Sequence, residues 1–571
     1  MTTVGNDVLA QALAWRDIDP DPETASELDA LIQKATSGDE VTLAELTERF
    51  SGHLVFGTAG LRGELGAGPM RMNRVVVAHA AYGLGRYLLG RQKADEPLSV
   101  VIGFDARVNS DVFARDTAAI LAALGIEPLL LEAYVPTPVV AFGVRHLRAT
   151  AGVMVTASHN PPRDNGYKVY LGGADNGSQI IPPSDADIMK EMMLSHGSGV
   201  LPAMAIDFPK NYSLREEVVS AYLQGTARLI PPDNTVGLTA LKVCYTPMHG
   251  VGADVFVSLC EAVGFSPLVV VPEQALPDPT FPTVSFPNPE EPGALDLALQ
   301  TANEHHCDLV IAHDPDADRL AVAIPDASER SGWRVLSGND VGVLLMADVA
   351  ERAFEQGVEG TLACSVVSTP LTETIARKNG LDFVATPTGF KWISRPPDLL
   401  AGFEEALGYL VNPDTVRDKD GISAGLAVIY LAHRLASEGK TLSDRLDDIV
   451  TSYGASHSAS LIVRHESMAE SVQAMALVRS QPEVILAGIN ARAVTDFLAT
   501  PPQGFPATDL LLCEVGGGSR VIFRPSGTEP KLKVYVDTLA ESQNRAEVNA
   551  TALLETLERV LRGLSAGSPG T

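Results

Sequence analysis

Long uninterrupted hydrophobic runs are missing from this 571-residue chain. No stretch approaches the 18 or so consecutive apolar residues that a membrane-spanning helix needs, which excludes that class. The segment from Met1 to Pro20 carries acids and lacks a basic stretch followed by an apolar one, so no secretory signal is expected there. Cysteine is scarce: Cys244, Cys260, Cys307, Cys364 and Cys513 are scattered, without a CxxC pair. That argues against a disulfide framework or a zinc site and fits a reducing cytoplasm. Positive charge is in deficit, with 43 Lys and Arg against 71 Asp and Glu and a formal net charge of −28. Nucleic acid and anionic membranes are poor partners for such a surface. Any anionic substrate needs a local basic island within this acidic field.

What is present is 45% hydrophobic residues, enough in a chain this long for several cores. Residues 1–50 read as an acidic helical extension, with Leu28, Leu31, Ile32, Leu43 and Leu46 at helical spacing. From Phe56 onward, short apolar strands alternate with helical stretches. Strands are expected at Leu98–Phe104, Glu127–Leu131, Gly152–Thr156, Lys242–Thr246, Pro267–Val271, Asp308–Ala312 and Thr361–Val367. Helices are expected at Val112–Leu124, Gly252–Val263, Ala294–Glu304 and Leu371–Asn379. This texture predicts parallel sheets in three similar α/β rounds. Pro272–Pro292 reads as a long proline-rich loop, and after about residue 455 shorter elements with a glycine-rich turn at Gly516–Gly518 predict a smaller α+β domain. The expected division is 1–50, 51–210, 211–328, 329–455 and 456–571.

Three segments carry chemistry. Thr156-Ala157-Ser158-His159-Asn160-Pro161-Pro162 follows an apolar strand and puts a hydroxyl at a strand tip, where sheet ligands bind, although the same residues also suit a plain turn. Asp314-Pro315-Asp316-Ala317-Asp318-Arg319 follows the strand LVIA. Three alternating carboxylates there repel one another unless a hard cation offsets them, and magnesium suits such oxygen ligands; a solvated acidic loop is the bland alternative. Arg524-Pro525-Ser526-Gly527-Thr528-Glu529-Pro530-Lys531-Leu532-Lys533 sets small hydroxyl residues and glycine between basic ones, the makings of a phosphate cradle or of an ordinary turn. Weaker signals lie at Phe56–Gly63, Thr386–Lys391 (with Thr388, Gly389 and Lys391), Phe403–Gly408 (with Glu404 and Ala406) and Arg417–Gly421. Together they suggest the basic island: Arg62, Lys168, Arg319, Lys391, Lys419, Arg524 and Lys533.

With these residues assembled, the chain resembles the α-D-phosphohexomutase superfamily from about Val55 to Asp537. TASHNPPRDNGYKVY (Thr156–Tyr170), DPDADR, EEALG and RPSGTEPK stand in that superfamily's order. FGTAGLRG and RDKDG look closest to its phosphoglucomutase- and phosphopentomutase-like branch. The resemblance implies three similar α/β domains plus a smaller C-terminal α+β domain around a central cleft. It implies a phosphosugar mutase, interconverting sugar 1-phosphate and 6-phosphate, or 5-phosphate for a pentose, through phosphorylated Ser158 and a sugar bisphosphate. Asp314, Asp316 and Asp318 would bind Mg2+ together with a phosphoserine oxygen on Ser158. Arg319 would clamp the reacting groups, with Arg62, His159, Lys168 and Lys419 nearby; His159, Lys168 and Lys419 all remain candidates for the general base. Glu404 would hold sugar hydroxyls, with Thr388, Gly389 and Lys391 also on the substrate side. Arg524, Ser526, Gly527, Thr528 and Lys533 would grip the non-reacting phosphate. Many superfamily members have Ser where this chain has Ala406, which leaves the sugar preference open. The implied protein is a cytoplasmic monomer or homodimer whose partner is a phosphosugar.

Two rivals fit parts of the pattern. A haloacid-dehalogenase-like phosphatase would use Asp314 as nucleophile in DxD, but has no use for Asp318, the TASHN strand tip or the RPSGTEP cradle. A non-catalytic sugar-phosphate sensor would be expected to lose the nucleophile or the metal ligands, and here all are present.

Overall fold

The computed structural model describes residues 3–56, 60–93, 96–195, 212–231, 241–265, 267–481, 488–525 and 530–566. It divides into two compact units, Met1–Val335 with Gly408–Tyr430, and Leu336–Leu407 with Leu431–Thr571.

In the first unit, residues 3–49 form three helices, Thr3–Ile18, Pro22–Thr36 and Glu40–Arg49. Asp21 and Asp39 cap the second and third by accepting backbone N–H bonds. These helices are built into the main core rather than appended to it. Ala12, Leu28, Ile32 and Leu46 are buried in one cluster with Val75, Val100, Val153 and Tyr167. Arg49 ties the third helix to the turn after the first strand, pairing with Glu27 and donating to the Ala67 carbonyl.

The first sheet comprises β1 (Gly60–Glu64), β2 (Ser99–Phe104), β3 (Glu127–Leu130), β4 (Ala151–Val155), β5 (Asp164–Leu171) and β6 (Ser178–Gln179), in order β1-β5-β4-β2-β3 with β6 beside β5. The second comprises β7 (Val243–Thr246), β8 (Val269–Val270), β9 (Leu309–His313), β10 (Leu320–Pro325) and β11 (Trp333–Val335), in order β11-β10-β9-β7-β8. The expectation of parallel sheets is corrected here. Strands β2, β3 and β4 are parallel, but β5 runs antiparallel to both β4 and β1. Likewise β7, β8 and β9 are parallel while β10 runs against β9. The reason is loop length: the connections at 156–163 and 314–319 are too short for a parallel crossover, so the chain can only fold back beside the strand it has left. Both chemistry-bearing loops are thus the ends of tight reversals.

In the second unit β12 (Thr361–Ser365) pairs in parallel with β13 (Asp382–Thr386) and β14 (Leu399–Glu404), as the α/β texture predicts. The C-terminal sheet is wholly antiparallel, in order β16-β20-β19-β18-β17, from β16 (Ala455–Arg464), β17 (Ala491–Asp496), β18 (Leu511–Val515), β19 (Arg520–Pro525) and β20 (Lys531–Ala540). The remaining strand, β15 (Gly408–Leu410), belongs to the first unit, where Gly408 bridges to Arg319. No helix among the described residues is long and apolar enough to cross a membrane.

Candidate active site

The backbone turns sharply where β4 ends. Ser158 is 2% exposed and has φ +52°, a left-handed conformation that a non-glycine residue adopts only where its surroundings impose it. Its N–H donates to Thr156 Oγ1 at 2.8 Å. The Arg107 guanidinium supplies the rest of the restraint. It donates to the carbonyls of Ser158 (2.7 Å), Asn160 (2.6 Å), Pro161 (2.8 Å) and Asp164 (3.1 Å), and so gathers the whole loop onto one planar cation. Arg62, on β1, donates to Asn160 Oδ1 at 2.9 Å.

Held this way, the Ser158 hydroxyl donates to Asp314 Oδ2 at 2.8 Å and lies 3.2 Å from His159 Nδ1. Asp314, Asp316 and Asp318 are fully buried, with carboxylate oxygens within 4.8 Å of one another. Lys168, on β5, bridges Asp316 Oδ2 and Asp318 Oδ2 at 2.7 Å each, and Lys419 Nζ stands 3.4 Å from Asp318 Oδ2. Thr137 donates its hydroxyl to Asp316 Oδ2 at 2.6 Å and its N–H to the Asp316 carbonyl at 2.9 Å. Lys419 is itself held in place because Asp418 accepts from Gln179 and Asp420 accepts from Tyr222.

Burial opposes charge throughout this cluster, and the outcome differs by residue. Burial, followed by repulsion from Asp316 and Asp318, pushes the Asp314 carboxyl well above the usual range. For Asp318, burial pulls the same way but is outweighed by Lys168, Lys419 and Arg319, which hold it below that range. Lys168 is raised overall, since its two carboxylates outweigh its own desolvation. His159 falls well below its ordinary value through burial and the neighbouring Arg319 and Arg62, so its ring is neutral near pH 7. The donor set suits a divalent cation. Among the described residues Asp316 Oδ1 and Asp318 Oδ1 are buried without a hydrogen-bond partner, and hard oxygen donors of this kind are magnesium's.

The second unit holds the other candidates. Glu404 ends β14 and is nearly buried; its neighbour Glu405 turns its carboxylate to the Ser365 and Ser368 hydroxyls at 3.0 and 3.2 Å. Gly389, with φ +104°, opens the short helix Phe390–Ile393 that carries the buried Lys391, and Thr388 precedes it, half-buried. Ala406 is half-buried. Arg524 on β19 lies directly opposite Lys533 on β20. Like charges facing each other across strands repel, and an anion between them removes the penalty. Ser526, Gly527 and Thr528 lie outside the described residues, as do Gly57, Thr58 and Ala59 of the first glycine-rich segment.

Known proteins extend this geometry. Residues 53–194, 221–327 and 337–453 match phosphoglucomutase/phosphomannomutase alpha/beta/alpha domains I, II and III in turn. A probable phosphomannomutase of Haemophilus influenzae is 46% identical over 496 residues, covering 86% of this chain and 98% of the relative. The chain belongs to the α-D-phosphohexomutase superfamily. A phosphoribomutase of Saccharomyces cerevisiae is 33% identical over 98% of the chain and 97% of its own length. The crystal structure of a putative phosphomannomutase from Thermus thermophilus matches with a TM-score of 0.67 and 25% identity, over 90% of this chain and 99% of that one. The protein is a phosphosugar mutase, an isomerase of the intramolecular phosphotransferase class.

Sequence reasoning missed two of this mutase's residues at the Ser158 and Asp314–Asp318 loops. Arg107 belongs to no motif that it weighed. The available signal was Asp105-Ala106-Arg107 directly after the apolar β2, neighbour of β4 in the sheet. Thr137, at the start of the helix Thr137–His146, follows a proline-flanked turn and offers no signal of its own.

Proposed function

We propose that this mutase interconverts the 1-phosphate and 6-phosphate of a hexose through phosphorylated Ser158 and a sugar bisphosphate that also primes the enzyme. The observation that carries the reading is the Ser158 hydroxyl, in a left-handed turn, 2.8 Å from Asp314 and beside three buried carboxylates. A sugar hydroxyl oxygen bonds to the phosphorus while the bond to Ser158 Oγ breaks. The hydroxyl proton passes to a base beside the loop. In the second transfer Oγ bonds to the bisphosphate's other phosphorus, the bond from that phosphorus to its sugar oxygen breaks, and the freed oxygen takes the proton back from the base. Asp314, Asp316 and Asp318, with a phosphoserine oxygen, would hold Mg2+, which supplies charge neutralisation at the phosphoryl oxygens. Arg319 and Arg62 offset charge on the same group, and Lys168 and Lys419 keep the carboxylates in place. In the second unit Glu404 accepts from sugar hydroxyls, with Thr388, Gly389 and Lys391 beside it. Arg524, Lys533 and residues 526–528 grip the phosphate that does not react. The division 1–50, 51–210, 211–328, 329–455 and 456–571 is kept as part of this reading. So is a reducing cytoplasm, which the five buried free thiols favour.

A pentose 1-phosphate/5-phosphate reaction is the second reading, favoured by Ala406 in the sugar loop and by the relative named phosphoribomutase. Turnover on glucose, mannose, glucosamine and pentose monophosphates separates the two. Ser158→Ala is expected to abolish turnover and acid-stable protein phosphate. Near-wild-type turnover in that variant would overturn the mechanism, and acid-labile phosphate on Asp314 would favour phosphatase chemistry instead.

A further inference from the structure

The proline-rich stretch between β8 and the helix Asp296–Glu304 has no role in the mechanism above, yet it reaches the reacting centre at three points. The Phe281 ring, 2% exposed, lies under the Arg107 guanidinium at 5.0 Å. The Phe286 ring lies 6.4 Å from the His159 ring, tilted by 57°. Glu290 Oε2 stands 3.9 Å from Arg319 Nη1.

The stretch is anchored at its other side. Thr283 Oγ1 accepts from Gln274 Nε2 at 2.9 Å and is 2.8 Å from His249 Nε2, and Thr246 Oγ1, at the tip of β7, donates to Gln274 Oε1 at 2.6 Å. The His249–Gly250 turn presses on the carboxylate loop so closely that a Cβ on Gly250 would fall 2.3 Å from Pro315 Cα. Asn288, flanked by prolines, is buried and accepts from the Glu290 N–H at 3.2 Å. Prolines at 282, 287, 289 and 292 limit the backbone freedom of this stretch, so its rings are held at low entropic cost.

We propose that Phe281 and Phe286 are positioning residues for the phosphoryl group on Ser158. Phe281 supports Arg107, which holds the loop carbonyls, and Phe286 walls the His159 side. Together they keep bulk water from the phosphorus between turnovers, while the phosphoryl group waits on Ser158. The inference rests on the reading of Ser158 as the phosphorylated residue. A mutase must favour a sugar hydroxyl over water. In the unwanted reaction a water oxygen bonds to phosphorus, the Oγ–phosphorus bond breaks, Oγ regains a proton and inorganic phosphate leaves. A rigid apolar wall suppresses that reaction without touching sugar.

The test uses the full chain, phosphorylated with glucose 1,6-bisphosphate carrying labelled phosphate and then freed of sugar. Acid-stable label on the Ser158 peptide is followed over time, alongside mutase kcat, KM and the unfolding midpoint. Phe286→Leu and Phe281→Leu keep apolar bulk, Phe286→Tyr restores a ring, and Phe354→Leu changes an exposed ring in the other unit. We expect Phe286→Leu and Phe281→Leu to shorten the lifetime of the label about tenfold, a ratio in keeping with loss of one ring contact. KM should hold, and Phe286→Tyr and Phe354→Leu should behave as wild type. Should Phe281→Leu not fold, the half-buried Phe286 still decides. Label on Ser158 that decays at the wild-type rate in Phe286→Leu overturns the proposal alone. A wild type with no label on Ser158 overturns the nucleophile assignment, and the proposal with it.

Discussion

At the scale of single residues, the cation that occupies the carboxylate cluster in this structure is Lys168, and that makes a prediction. Removing it in Lys168→Met leaves Asp316 and Asp318 buried with one cation fewer, a change that costs about 3–5 kcal/mol when a buried pair is broken. If the three aspartates bind Mg2+, the metal should restore part of that loss by mass action. Thermal unfolding with chelator and with millimolar Mg2+ is the measurement: the variant's midpoint should rise with Mg2+ by more than the wild type's. An equal or smaller rise would mean that the carboxylates do not hold the ion. Arg524 lends itself to the opposite logic. Its register partner is Lys533, so Arg524→Ala relieves a like-charge contact while removing a donor to phosphate. We expect phosphosugar binding to weaken by roughly 1.5–3 kcal/mol, read as KM, with the unfolding midpoint unchanged or raised. A fall in midpoint with KM intact would make the residue structural. For Ala406→Ser, one added hydrogen bond contributes at most about tenfold to hexose preference in kcat/KM. A wild type that already rejects every non-glucose phosphate by orders of magnitude would remove Ala406 from the argument.

At the scale of elements, the N-terminal helices are the clearest case of a segment whose meaning changes once packing is known. Their apolar spacing was legible, but spacing does not say what a face covers, and here it covers the first sheet's core. Leu28 is fully buried among residues of that core, so Leu28→Ala should cost about 2–5 kcal/mol and lower the unfolding midpoint of the first unit. A loss of less than about half a kcal/mol in denaturant melts, the level of an ordinary surface change, would show the helices to be dispensable. Most other strands and helices were readable because their apolar runs are long and bounded by turns. Strand direction was not, because periodicity is the same both ways. Only the shortness of the 156–163 and 314–319 connections carries it. The expected strand Pro267–Val271 shrinks to Val269–Val270, an edge of the second sheet where two prolines border the pairing. At the site, the Ser158 hydroxyl and the aspartates, which the structure brings together, were legible because each sits in a compact run of sequence. Arg107 was not, since its partners are backbone carbonyls, which have no residue identity to match. Between Glu404 and Glu405 only the resemblance chose. The bonds of Glu405 to Ser365 and Ser368, some forty residues upstream, have no signal in the local run of sequence.

At the scale of the whole molecule, the net charge of −28 and the local cations act on a phosphosugar at different distances. Arg62, Arg319 and Lys419 stand at the Ser158 and carboxylate loops, whereas the excess of acids is spread over the entire chain. At about 0.15 M salt the screening length is near 8 Å, so an approaching dianion feels chiefly the nearest groups. At about 0.01 M it is near 30 Å, and the substrate meets the field of the full chain, which repels it. Enzymes that steer an oppositely charged substrate gain association rate as salt is removed. The sign is reversed here, because the long-range charge and the substrate are both negative. We therefore expect kcat/KM for glucose 1-phosphate to fall as ionic strength is lowered from about 0.15 to 0.01 M at fixed free Mg2+ and pH, with kcat nearly constant. Above about 0.3 M the trend should turn, as screening reaches the contacts themselves and weakens charge-assisted bonds to phosphate. Substitution of surface acids by Gln or Asn, away from both loops, should flatten the low-salt limb and leave the high-salt limb in place. A kcat/KM that instead climbs steadily as salt is removed would show that the local cations govern approach at every distance.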